Sequence, residues 1–276
     1  MASPSTARID PDASTGPRLS LAGWFRIGCR LVALLATLLF MVPLHYLTHA
    51  LGQPSHWPRR FLGTAASIVG ADVQIVGTPS PRNVFFIANH LSWIDILAMG
   101  GASGTAFIAK AELASVPVIG WLCSLNRTLY VSREDKLGVS SQIAMLRDAM
   151  GENHAVAVFP EGTTTDGLSL LPFKSSLLAV LEPPPPGIVV QPVYIDYGSA
   201  IADIAWIGQE SGKDNALRIL SRRGRFTIRL HFLAPFDPLA YAGRKAIAAE
   251  SRARIEAELV ATLGHRLRPF TGHPQP

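Results

Sequence analysis

Within FIANHLSWIDIL, Phe86 to Leu97, a histidine and an aspartate stand five positions apart in an otherwise apolar run. An imidazole held by a carboxylate is a general base: the acid sets the tautomer and stabilises the imidazolium. Ser92 followed three residues later by Asp95 also fits a capping box at a helix start. Along a regular helix five positions turn about 500°, leaving the two side chains about 140° apart. His90 and Asp95 can therefore meet only if His90 lies off the helix, on the loop leaving the strand Val84 to Ala88, with Asp95 in the first turn. Ser92 as N-cap gives that geometry, so the capping and base readings are compatible.

Two further stretches carry candidate chemistry. FPEGTTTDG, Phe159 to Gly167, follows an apolar strand directly. A strand leading into Pro, an acid and Gly-Thr is either a site loop at the C-terminal edge of a sheet, where α/β proteins bind ligands, or a plain Pro/Gly turn. NRTLYVSRE, Asn126 to Glu134, flanks a strand with Arg127 and Arg133. Arginine forks suit phosphate and carboxylate, although two arginines beside an edge strand are commonly just solvated.

The elements that must position these residues begin after an N-terminal region of different character. Of the 276 residues, 48% are hydrophobic and only 16% charged, more apolar than an ordinary soluble enzyme. The net charge of +5 favours an anionic partner, a membrane surface or an acidic ligand. Lys and Arg are scattered rather than striped, which argues against nucleic acid. The two cysteines, Cys29 and Cys123, form no disulfide framework and no metal-ligand spacing.

Residues 1–20 read as a disordered tail and 21–70 as membrane-associated helices. Leu31 to Leu47 is an apolar run at the lower limit for a span, with Pro43 set to kink a helix there. A signal peptide is the alternative, but the run is long for one and no small-residue cleavage site follows. Arg26 and Arg30 precede the run, and Arg59 and Arg60 follow it. Matched charges favour both ends on one face over a single pass, with Phe61 to Gly70 as the returning arm of a re-entrant hairpin. From Ala71 short β-rich segments alternate with helical patterns: 73–77, 84–88, 105–109, 128–131, 155–159, 188–195 and 226–232 read as strands, and 139–150 and 241–264 as helices. That layout is α/β with one mainly parallel sheet over 71–264, and 265–276 reads as a flexible tail.

Taken together, the three motifs resemble the glycerolipid acyltransferase family, which includes lysophosphatidic acid acyltransferases. Asn89, His90 and Asp95 match its Asn-His-x4-Asp element, Phe159 to Thr163 its Phe-Pro-Glu-Gly-Thr, Arg133 the end of its arginine strand, and Val190 to Val193 its Val-x-Pro-Val block. The resemblance covers roughly residues 70 to 200. It implies that His90 deprotonates a lipid hydroxyl with Asp95 orienting it, and that the oxygen attacks a thioester carried by acyl-CoA or acyl carrier protein. It implies no metal, no other cofactor and no covalent acyl-enzyme. Glu161, Gly162 and Thr163 would hold the acceptor head group, with Arg133 facing its phosphate and Lys174 a weaker candidate for the same anion.

Two positions depart from the family pattern. Thr164 stands where the phosphatidic acid enzymes usually carry Arg, and Arg127 where a Gly usually begins the arginine strand. The first expectation is a 1-acylglycerol-3-phosphate O-acyltransferase making phosphatidic acid on the cytoplasmic face of the inner membrane. Gly-Thr-Thr-x-Asp-Gly followed by Leu-Pro-Phe-Lys-Ser-Ser also looks like the branch acylating lyso-ornithine lipids, whose amino-acid head group has no phosphate. A non-catalytic lipid-binding or tethering protein is the alternative of another class, and the intact His90 and Asp95 argue against it.

Overall fold

The computed structural model describes residues 19–131 and 155–270. Arg133 and the helix expected over 139–150 lie outside the described residues. Seven strands form one sheet in the order β1-β7-β6-β2-β5-β3-β4. They are β1 (Ala71–Gly77), β2 (Val84–Ala88), β3 (Ala106–Lys110), β4 (Leu129–Val131), β5 (Val156–Val158), β6 (Val189–Asp196) and β7 (Phe226–Phe232). All neighbouring pairs are parallel except β6 with β7. The fold is α/β with a mainly parallel sheet.

Strand β2 sits in the middle and is buried at every position. A central strand covered on both faces has no solvated side, so it reads as a continuous apolar run. Its side chains alternate between two cores. Phe86 and Ala88 pack with Val193, Ile195, Ile228 and Leu230 on one face. Phe85 and Ile87 pack with Val156, Val158, Val190 and Ile247 on the other. Because β2, β5 and β6 run parallel, their C-terminal ends meet along one edge, and the loops leaving that edge are brought together.

Helix α1 (Leu21–Ala50) and α2 (Trp57–Val69) precede the sheet. Among the described residues the remaining helices are α3 (Ile94–Ser103), α4 (Pro117–Leu125), a single turn α5 (Ile201–Ile204), α6 (Gly212–Ser221) and α7 (Arg244–Leu263). At 30 residues, α1 is about 45 Å long, sufficient to cross a membrane. It runs well past the expected 31–47 segment. Its first turns are not merely greasy but amphipathic: Gly23 and Ile27 are buried against the domain, which a search for uniform apolarity misses. The helix also continues on both sides of Pro43, so that proline does not end it.

Two expectations about this region are corrected. Phe61 to Gly70 is no returning arm, because α2 buries Leu62, Ala65, Ala66 and Val69, the helical spacing of a core-facing stripe. It packs on α3 closely enough that a Cβ on Gly101 would lie 2.5 Å from the Cα of Gly63. Glycine is required at 101, whereas a Cβ on Gly63 would meet Gly101 Cα at an ordinary 3.6 Å. The matched arginines also have a local explanation. Arg26 donates to the Ser221 carbonyl, and Arg30 to the Ile219 and Leu220 carbonyls. Arg59 donates to the Gly101 and Ala102 carbonyls. All three cap the C-termini of α6 and α3, where orphan carbonyls and the negative dipole end attract cations. They dock α1 and α2 on the domain, so the charge matching has a source within the fold.

Candidate active site

The loop from β2 into α3 forms the centre of the site. Asn89 locks the end of β2 to β6: its amide donates to the Ile195 carbonyl at 3.0 Å and accepts from the Ile195 N–H at 2.7 Å. His90 follows outside the helix, and Asp95 falls in the first turn of α3. The imidazole Nδ1 and Asp95 Oδ2 are 2.8 Å apart, the geometry the five-residue spacing requires. The cap itself differs from expectation. Ser92 Oγ reaches the Ile94 N–H only at 3.5 Å, and Trp93 occupies the N-cap position. Asp95 reaches back instead, its Oδ2 accepting from the N–H groups of Leu91 at 2.7 Å and Ser92 at 2.9 Å. That carboxylate both closes the turn and holds the imidazole.

Asp95 is fully buried, while the His90 side chain keeps 19% of its exposure. The other carboxylate oxygen, Oδ1, accepts from the Tyr197 hydroxyl at 2.6 Å. With four donors converging on it, Asp95 takes Nδ1–H of His90 as a donor, which leaves Nε2 with its lone pair. The Phe159 ring stacks on His90 at 4.2 Å between centroids. The edge of the imidazole is thus fixed by Asp95 and its face by Phe159. A partly exposed, preoriented nitrogen base at a strand end can take a proton from a bound hydroxyl.

Glu161 does not occupy the place expected of a head-group contact. It is 1% exposed, and its two oxygens accept from the backbone N–H groups of His90 at 3.0 Å and Leu171 at 2.9 Å. It bridges the β2 and β5 loops from beneath. Burial pushes its carboxyl up to about 8, outweighing the two backbone donors that favour the charged form. The backbone of the same loop closes on the site, Thr165 N–H donating to the His90 carbonyl at 2.9 Å.

Gly162, Thr163, Thr164 and Lys174 lie on or against the Glu161 loop, whereas Arg127 lies within electrostatic reach of His45 on α1. Gly162 turns the loop at φ 70°, and Thr163 lies buried next to it. Thr164 is 4% exposed and its hydroxyl donates to the Trp206 carbonyl. Lys174 has an exposed side chain, and its N–H donates to the Pro160 carbonyl at 2.8 Å, which sets it beside the Glu161 loop. Arg127 is exposed at the turn before β4, with φ +56°. It adopts the left-handed conformation that glycine takes readily, a physical reason for glycine in related sequences.

Nothing in the local sequence marks Tyr197 as a site residue. The signal that could have found it is topological: it follows β6, the parallel neighbour of β2, so its loop emerges beside His90. An aromatic with a hydroxyl one residue beyond that strand end was the residue to examine.

Fold and pair together set an oriented imidazole–carboxylate pair at the C-terminal edge of a mainly parallel α/β sheet. The sequence model of the family described as Acyltransferase matches residues 72–196, which span the pair, the Phe159–Thr163 loop and β6. A lyso-ornithine lipid O-acyltransferase of Rhizobium meliloti is 30% identical over 274 residues, 93% of this chain and 94% of that protein. A 1-acyl-sn-glycerol-3-phosphate acyltransferase of Neisseria gonorrhoeae is 34% identical over 113 residues, 41% of this chain and 44% of that protein. The crystal structure of the 1-acyl-sn-glycerophosphate acyltransferase PlsC of Thermotoga maritima superposes with a TM-score of 0.56 at 22% identity, covering 74% of this chain and 78% of that one. That likeness is one of fold. The chain belongs to the acyltransferase family of lipid-modifying enzymes.

Proposed function

We propose that the chain is a membrane-attached lyso-ornithine lipid O-acyltransferase. In the reaction, His90 Nε2 takes the proton of the acceptor hydroxyl as that oxygen attacks the thioester carbonyl of acyl-CoA or acyl carrier protein. The ester C–O bond forms, the C–S bond breaks, and the imidazolium returns its proton to the departing thiolate. Asp95 stabilises the imidazolium between those events. The apolar α1, whose Leu31, Val32, Leu35, Leu39 and Phe40 are more than half exposed, attaches the domain to the bilayer that holds the acceptor.

The observation that carries the choice of acceptor is Thr164. Buried and bonded to the Trp206 carbonyl, it leaves no place for the phosphate-facing arginine expected of phosphatidic acid enzymes. The match over nearly the whole length of the Rhizobium meliloti protein supports the same reading. Gly162, Thr163 and the exposed Lys174 are the proposed contacts for the amino-acid head group, the Lys174 ammonium suiting its carboxylate.

Phosphatidic acid synthesis, the first expectation from the sequence, is the second reading, favoured by the Neisseria gonorrhoeae match across the site region. The discriminating measurement is kcat/KM of the purified chain for lyso-ornithine lipid and for lysophosphatidic acid with one labelled acyl donor. A preference for lysophosphatidic acid overturns the proposal. His90→Ala should lower turnover by about 10² to 10⁴ with the fold retained, whichever acceptor is used.

A further inference from the structure

A cavity of about 730 Å³ opens in the crook between α1 and α2, floored by α3. Its lining includes Met41 of α1, His56, Arg60, Thr64 and Ser67 at or along α2, and Gly101 of α3. Arg59 adds a second guanidinium to the lining but is tied to α3 carbonyls. No carboxylate lines the cavity among the described residues. Gly101 lies six residues beyond Asp95 on α3, about 9 Å along the helix, so the cavity is at the opposite end of α3 from the reaction centre.

We infer that this cavity binds the head group of an anionic bilayer phospholipid. Three features match the chemistry of that ligand. Arg60 places its guanidinium 5.0 Å above the Trp57 ring and has no carboxylate partner among the described residues, leaving a planar fork of donors for phosphate oxygens. Thr64, one turn further along α2, and Ser67, two turns on, add hydroxyl groups to the same lining, the Ser67 oxygen also accepting from Arg225. On the α1 side the lining is apolar: Met41 faces the cavity, next in the chain to Leu39 and Phe40, which do not line it and are 66% and 64% exposed. A ligand that is anionic at one end and hydrocarbon at the other fits such a junction, and a free anion would leave the α1 wall unused. The volume lies within the range of small-molecule sites, about 300–1,000 Å³. A lipid lodged there would brace α1 against α2, so the site also makes the seating of the domain depend on bilayer composition.

The test uses the full chain in uncharged detergent micelles and follows the thermal midpoint during titration with dihexanoyl phosphatidylglycerol. Parallel titrations use dihexanoyl phosphatidylcholine and glycerol 3-phosphate, which lacks chains. Wild type should be stabilised by the phosphatidylglycerol well below the concentrations at which the other two act. Arg60→Gln should weaken that response about tenfold or more, and Thr64→Val should weaken it to a smaller degree. Acyltransfer by Arg60→Gln in the same micelles establishes that the variant is folded. His90→Ala should bind the lipid as wild type does, which separates this site from the reaction centre. Equal response to phosphatidylcholine, or to glycerol 3-phosphate, overturns the inference, as does an unchanged response in Arg60→Gln or a lost one in His90→Ala.

Discussion

The Tyr197 hydroxyl donates to Asp95 Oδ1 at 2.6 Å while His90 occupies Oδ2 at 2.8 Å, so one buried carboxylate joins a residue of the β6 loop to the base on the β2 loop. Burial, then the Asp95 charge, holds the Tyr197 phenol well above its ordinary range, and it stays a donor across the working pH. Tyr197→Phe removes that donor without changing shape. A hydrogen bond to a charged group contributes about 1.5–3 kcal/mol, and the variant should lose stability of that order. With one of its anchors gone, Asp95 should hold the His90 ring less firmly, and kcat should fall by about tenfold with KM little changed. A loss of stability with kcat unchanged would reduce Tyr197 to a packing residue.

Glu161 makes a pH-dependent contribution whose sign follows from its burial. Its folded value of about 8 lies above the ordinary 4.5 of a free glutamate. The folded state therefore holds an extra proton between those values, and stability from this group is complete below about 4.5 and lost as pH rises through about 8. Glu161→Gln removes the titration together with one of the two backbone acceptor interactions. The difference in thermal midpoint between wild type and variant should thus shrink from pH 5 to about pH 8 and level off by pH 9. A constant difference across that range would show that the carboxyl does not titrate there.

At Arg127 the backbone, and not the charge, is the basis for a stability prediction. A non-glycine residue at φ +56° carries a cost that glycine avoids, roughly 1 kcal/mol. Arg127→Gly should therefore be more stable than Arg127→Ala by about that amount, read from denaturation midpoints in the same detergent. Equal stability of the two variants would mean that the turn relaxes out of the left-handed region.

The contact between Gly63 and Gly101 transmits α2 to the helix that carries Asp95. A Cβ on Gly101 would stand 2.5 Å from Gly63 Cα and 2.7 Å from its N, both backbone atoms that cannot rotate away. Gly101→Ala should cost about 1–3 kcal/mol through overpacking and lower turnover by shifting α3. Gly28→Ala is the control, since a Cβ there meets nothing within 4 Å. Activity and midpoint measured together decide the matter: an active, stable Gly101→Ala protein would show that α2 and α3 can separate without moving the pair.

Much of the fold was legible because strands and helices are encoded locally. The alternation and β-branched runs placed β2 and β7 at their observed bounds, 84–88 and 226–232, and helix 241–264 appears as Arg244–Leu263. The five-residue interval alone demanded that His90 lie off the helix, because a rigid 3.6-residue repeat would hold the pair apart. Other features depend on residues distant in the chain. Tyr197 lies 102 positions from Asp95, and Glu161 lies 71 from His90. No periodicity links such partners; they meet because β2, β5 and β6 lie side by side in parallel. The arginines around the apolar run show the same division. Their number and spacing were plain in the sequence, yet their meaning came from the carbonyls of α6 and α3, helix ends nearly 200 and about 40 residues away. A charge on paper has no partner until the fold supplies one. Residue types and local spacing determined the elements and the chemistry available, and tertiary packing decided which backbone group, carboxylate or cavity each side chain serves.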